Sequence, residues 1–370
     1  MSVRRITTSL LAAAALPLAL GAPAALADGP FDGGGGHGPA VYTSTNGAAG
    51  NAVLAFSRAP GGGLRPAGAF ATGGAGTGAG LGNQGALALD HGRLYVVNAG
   101  SGDISVLDAR HERPALRQRI GSGGATPISL TISGNVLYAL NAGSGGIAGF
   151  RIVRDGLLRP IPGAARPLAG AGPAQIAFSP DGRTLVVTEK ATNTIDTFAV
   201  GADGVAGPAV SRPSNGATPF GFDFDAAGHA IVSEAQGGAA GASTVSSYSV
   251  VGGTFTSISA SVPDFQGAAC WVAVTRSGRF AYVANTGSND VSGYRIAPDG
   301  SISLLDPDGV TALAGAAPAD VAEGTAQRAL YVRNGGDGTI SSYRELPDGS
   351  LVPTGTVGGI PAGASGLAAE

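Results

Sequence analysis

The chain has 370 residues, a formal net charge of −3, one cysteine and a single lysine among twenty-two basic residues. That balance leaves no electrostatic footprint for nucleic acid, and Cys270 alone excludes an intrachain disulfide. No stretch beyond the N-terminal segment offers the roughly 20 continuous apolar residues of a membrane span.

Residues 1–27 read as a secretory signal: Arg4 and Arg5 precede an apolar run from Leu10 to Leu20, and Ala25-Leu26-Ala27 is a small-residue cleavage pattern. Cleavage near Ala27 predicts a secreted protein, extracellular or associated with the cell envelope. Loss of the two arginines takes the formal charge from −3 to −5. Residues 28–39, rich in glycine, are expected to form a flexible leader to one domain over residues 40–370.

From residue 40 the chain repeats itself. "YVVNAGSGDISVLD" begins at Tyr95, with near copies from Tyr138, Tyr282 and Tyr331. Aligning the residue that closes this strand gives Thr45, Asn98, Asn141, Glu189, Glu234, Asn285 and Asn334, at spacings of 53, 43, 48, 45, 51 and 49. Steps of roughly 40 to 50 residues are the length of one four-stranded propeller blade.

Each unit has the same internal order. A short inner strand ("GALALD", "ISLTIS", "AQIAFS", "FGFDFD", "WVAVT", "ADVAEG") leads through a turn, clearest in "SPDGR" at 179–183, to the Tyr-type strand. A Gly, Ser or Asn turn and an alternating third strand follow, then a less regular fourth. The first unit lacks an inner strand, and the C-terminal "ASGLAAE" matches one. The sequence therefore predicts an all-β, seven-bladed propeller whose C-terminal strand pairs into blade 1, removing the exposed strand edges that an open sheet would leave.

With these strands and turns in view, the chain resembles the lactonase-like seven-bladed propellers. These include 6-phosphogluconolactonases of the cycloisomerase type and 3-carboxymuconate lactonizing enzymes, and they overlap in motif with YVTN-type surface repeats. The resemblance implies chemistry on a small lactone at one mouth of the central channel, with His residues ahead of an inner strand and Arg and Glu nearby. Here the segment ahead of the fourth inner strand carries Gly172, Pro173 and Gln175 instead of a His-rich entry. His37, His91, His111 and His229 fall in the leader, in turns between strands and in a charged connection.

The departures from Asn at Glu189 and Glu234, in adjacent blades, direct attention to the rim where second strands end. Two carboxylates there would serve as acid and base or share a proton, with Arg333 as an anchor for an anionic group. These three are the expected catalytic set, and Asn98, Asn141, Lys190, Trp271, Asn285 and Asn334 the expected substrate pocket. For each Asn the competing role is to cap its own turn.

No cofactor is required by the sequence. A divalent cation of the calcium type would find oxygens at Glu189, Glu234, Asn285, Asn141 and Asn98. The Asp-Gly pairs at Asp181, Asp299, Asp337 and Asp348 lack the spacing of a calcium loop and read as hairpin turns. "GTGAGLGNQGA" near residue 80 precedes no helix and is not a phosphate cradle. Cys270 has no base beside it and reads as core.

Two functions follow: a secreted lactonase-like propeller that binds and hydrolyses a small lactone or sugar-acid derivative at the channel mouth, or a non-enzymatic binding or scaffold propeller that contacts extracellular protein or glycan. A monomer is expected in either case.

Overall fold

The computed structural model describes residues 40–370 apart from 112, 252–253 and 325–327; the expected signal and leader lie outside the described residues. The chain folds into seven antiparallel sheets of four or five strands, each following the predicted order from the inner strand outward. The residue that closes each full-length second strand is the aligned Asn or Glu: Arg93–Asn98, Val136–Asn141, Thr184–Glu189, His229–Glu234, Phe280–Asn285 and Ala329–Asn334.

Closure takes the expected form. Ser365–Ala369 pairs antiparallel with Val41–Ser44, bringing Val41 opposite Ala369 and Tyr42 opposite Ala368. Blade 1 is therefore built from both ends of the described chain. In blades 3 and 6 the outer strand is broken into two short pieces, Leu158–Pro160 with Arg166–Pro167 and Ile302–Leu304 with Ala312–Leu313. Among the described residues no helix is long and apolar enough to cross a membrane.

The repeated Tyr explains how blades are joined. Alternation buries its ring between two sheets, and its hydroxyl reaches the following blade. Tyr95 donates to the Gly156 carbonyl at 2.9 Å, Tyr138 to that of Gly204 at 2.8 Å and Tyr282 to that of Gly349 at 2.8 Å, while Tyr331 accepts from Arg58 Nε at 3.1 Å. Each such bond contributes about 1 kcal/mol beyond the apolar burial of the ring. Blades 4 and 5 carry Val186 and Ile231 at this position, which pack in apolar clusters and have no hydroxyl to reach the next blade.

Inner strands face the channel with one unpaired edge, and a buried N–H or C=O without a partner is costly. Side chains of neighbouring blades supply the partners. Ile176 and Phe178 donate their N–H groups to Ser129 Oγ and Thr131 Oγ1 at 3.2 and 2.9 Å. The Gln175 amide both donates to the Phe222 carbonyl and accepts from its N–H, each at 2.8 Å. The polar residues of the inner strands are thus largely a consequence of ring closure.

Candidate functional site

The channel has two ends of different character. At the upper end, where inner strands begin, the connection from blade 1 to blade 2 spans residues 72–86, whereas those after blades 2, 3 and 4 span only 122–126, 168–172 and 214–218. The extra length carries Leu81–Gly85 across the mouth. Asn83 donates its side-chain amide to the Ile128 carbonyl of blade 3 and accepts from Ser365 Oγ of blade 1 at 2.9 Å. The Gln84 side chain donates to the Val272 carbonyl of blade 6 at 2.7 Å and accepts from the Val272 N–H at 3.1 Å, while its backbone N–H reaches Ala174 of blade 4 at 3.2 Å. The loop closes the mouth.

Two residues expected in the substrate pocket hold that loop. Trp271 Nε1 donates to the Asn83 carbonyl at 2.8 Å, with its ring edge-on to Phe220 at 5.2 Å. Lys190 donates to the Gly82 carbonyl and lies 4.4 Å from the centroid of the Phe220 ring; burial pulls its ammonium below the usual lysine range. The glycine-rich stretch near residue 80 is thus a plug, and its length was the signal in the sequence that could have revealed it.

The aligned Asn and Glu residues sit beside the plug in separate cradles, each fully or almost fully buried. Asn98 donates to Asp103 Oδ1 and Ser105 Oγ at 2.6 and 2.8 Å and accepts from Thr72 Oγ1 at 2.8 Å. Asn285 donates to Asp290 and Ser292, Asn334 to Thr339 and Ser341, and Asn141 to the Ser122 carbonyl. The partners lie mainly on the third strand and the incoming connection, so the amide joins the hairpin to the preceding blade.

Glu189 and Glu234 occupy this same position and are not brought together. Glu189 accepts from the Gly170 N–H at 3.1 Å and Thr194 Oγ1 at 2.9 Å. Burial, with the charge of Asp196 adding to it, pushes its carboxyl up to about 7. Glu234 accepts from the Gly216 N–H and from the hydroxyls of Thr244, Ser246 and Ser261 at 2.8, 2.6, 2.6 and 3.1 Å.

Arg333 is buried opposite Asp320 in the register and donates to the Ala319 carbonyl at 2.5 Å. It contacts neither glutamate. Burial pushes Asp320 up to about 7 despite the nearby guanidinium.

The lower half of the channel is open. A cavity of about 310 Å³ is bounded above by Gln84 and Gly85 of the plug and walled by Phe222, Val272, Val321 and Leu367, with Asp223 and Glu323 facing it. Both carboxylates are penultimate residues of inner strands, Pro219–Phe224 and Pro318–Gly324. Asp223 accepts the Phe224 and Val274 N–H groups at 2.8 and 2.9 Å, one on each oxygen, leaving a lone-pair site on each. Burial, reinforced by the charge of Glu323, pushes it up to about 6. Glu323 accepts the Arg276 N–H at 2.7 Å and is also raised by burial. The expected set omitted both, because "FGFDFD" and "ADVAEG" read as plain inner strands.

The remaining chemistry-bearing residues lie elsewhere. His91 is exposed beside Asp90 and His229 bonds Asp225 at 2.7 Å; neither these nor the exposed His111 lines the cavity, and His37 lies outside the described residues. The Cys270 thiol is pushed up to about 11 by burial, against the direction a nucleophile needs. Asp181, Asp299 and Asp348 accept N–H groups two residues on, each at 3.0 Å, as hairpin turns do. Among the described residues no three His, Cys, Asp or Glu side chains converge as a metal site.

Comparison with known proteins agrees with the propeller fold. The family model for the "Lactonase, 7-bladed beta-propeller" matches residues 157–240. No curated protein matches the chain. Among solved structures, the periplasmic gluconolactonase of Pseudomonas aeruginosa superposes with a TM-score of 0.66 at 18% identity, covering 89% of this chain and 98% of its own. A candidate 6-phosphogluconolactonase from Bacteroides fragilis gives 0.67 at 17%, covering 89% and 97%. A protein from Lactobacillus plantarum gives 0.70 at 17%, covering 90% and 99%.

Proposed function

We propose that this chain, which resembles the lactonase-like seven-bladed propellers in fold and in its central repeats, binds a small lactone in the lower channel and hydrolyses it there. The observation that supports this reading is the concave lower channel bearing Asp223, whose carboxyl burial pushes up to about 6. Perturbed groups inside a concave site are the usual mark of function.

The chemistry asks little more of the residues present. Ionised Asp223 takes a proton from water as the water oxygen attacks the lactone carbonyl; the ring C–O bond then breaks and Asp223 returns that proton to the departing alkoxide. Water adds across the ester, giving a hydroxy acid, and no external oxidant or reductant is consumed. Export through the N-terminal signal belongs to the same proposal.

Hydrolysis by the purified protein on a panel of lactones tests it. Asp223→Asn is expected to lower kcat by about 100-fold or more, and wild-type kcat to rise with pH through about 6 as Asp223 loses its proton. Equal turnover by Asp223→Asn would remove Asp223 from the mechanism.

A second reading, a binding propeller without catalysis, has one observation in its favour: Glu189, Glu234 and Arg333 occupy separate buried positions and form no common pocket. Lactone binding without turnover would select it. A divalent cation at the rim would require carboxylates already committed to their cradles, so any cation effect is expected at Asp223 and Glu323.

A further inference from the structure

We infer that the channel cavity accepts uncharged lactones and rejects those carrying a phosphate or carboxylate, a selectivity that rests on the lactone-binding reading above. The lining supplies two carboxylates, Asp223 and Glu323, and two amides, Gln84 and Gln175, set among apolar walls. Among the described residues that line it there is no lysine, arginine or histidine.

The nearest cations lie outside the lining. Lys190 is directed at the plug on the far side, bonded to Gly82 and covered by Phe220. Arg333 donates to Ala319 behind the wall. Arg276 and Arg328 line a separate recess of about 250 Å³, where Glu323 and Glu345 share it with them. A fixed anion on the ligand would therefore meet the like charge of Asp223 and Glu323 with no cation in the lining to offset it, and like charges at short range are disfavoured.

The amides do not reverse this. Both ends of the Gln84 and Gln175 side-chain amides are already committed to backbone partners, Val272 and Phe222, so neither is available to cradle a phosphate. The same field acts on the product: ring opening creates a carboxylate, which the lining drives out.

Calorimetric titration of the wild-type protein at pH 8 with three probes tests this: galactono-1,4-lactone, its 6-phosphate, and the carboxylate-bearing muconolactone. The neutral lactone is expected to bind at least tenfold more tightly than either anion. The gap against muconolactone should narrow at pH 5, where Asp223 is protonated, and in Glu323→Gln at pH 8, provided its melting temperature matches wild type. Equal or tighter binding of an anionic lactone would overturn the inference and assign recognition to Arg276 and Arg328. Binding of the neutral lactone alone, without turnover, leaves the selectivity standing while removing hydrolysis. If no probe binds, both the selectivity and the cavity reading fall.

Discussion

The two ends of the channel use polar residues in opposite ways. At the upper end the polar residues are used to hold the chain together: Asn83 and Gln84 tie the plug to blades 1, 3 and 6, Glu234 is surrounded by hydroxyls and an N–H, and the Asn141, Asn285 and Asn334 amides donate within their cradles while their side-chain oxygens take no partner. At the lower end Asp223 and Glu323 each keep acceptor capacity on the cavity side. Fully buried carboxylates are therefore structural at one end, and partly buried ones are poised for a ligand at the other. What separates them is exposure to the cavity, not the residue type: Glu189 accepts as many hydrogen bonds as Asp223 but is sealed from the channel.

Emptying the best-filled cradle should have the largest effect. Glu234→Ala leaves the Gly216 N–H and the hydroxyls of Thr244, Ser246 and Ser261 without their common acceptor. We expect a loss of about 3 kcal/mol in urea unfolding, with lactone affinity of the folded fraction unchanged. If affinity fell while stability held, the upper rim would have to be counted as part of the site.

Opening the plug comes next. Gln84→Ala leaves the N–H and C=O of Val272 unpaired at the inner edge, at an expected cost of about 2 kcal/mol. Trp271 is the only tryptophan and bonds the plug directly, so its emission should shift to the red, and buried Cys270 beside it should gain reactivity toward a thiol reagent. Unchanged emission and unchanged thiol reactivity would mean that Leu81–Gly85 does not seal the mouth.

The repeat made the fold legible. Tyr95, Tyr138, Tyr282 and Tyr331 recur because each must reach the next blade, and "ASGLAAE" matched an inner strand because the ring needs one there. The site was harder to read for a physical reason. Asn98 and its counterparts stand out by alignment because each blade needs the same cradle, so the periodic signal marks architecture. Asp223 and Glu323 stand one register step apart in blades 5 and 7 and are not repeated in every blade. Glu189 and Glu234 stand out as departures from Asn, yet they fill the same cradle, with an acceptor where Asn is chiefly a donor. Only the ring closure shows which carboxylates face the cavity.

A further effect, one that discriminates between the two ends, is the pH dependence of stability. Burial raises Glu189, Asp264 and Asp320 to about 7 and Asp223 to about 6. Each binds a proton more tightly folded than unfolded, so this contribution is fully present below the unfolded carboxylate pKa of about 4 and is lost as pH rises through the folded values. Asp108, held well below the usual range by Arg110 and Arg93, acts the other way and only in acid. The melting temperature should therefore fall between pH 5 and pH 8, by about 2–4 °C for each kcal/mol lost. Glu189→Gln should flatten that slope without touching the pH–rate profile, whereas Asp223→Asn should change both. A Glu189→Gln protein with an altered rate profile would erase the distinction between the two ends, because a carboxylate sealed in its cradle would then be sensed at the cavity.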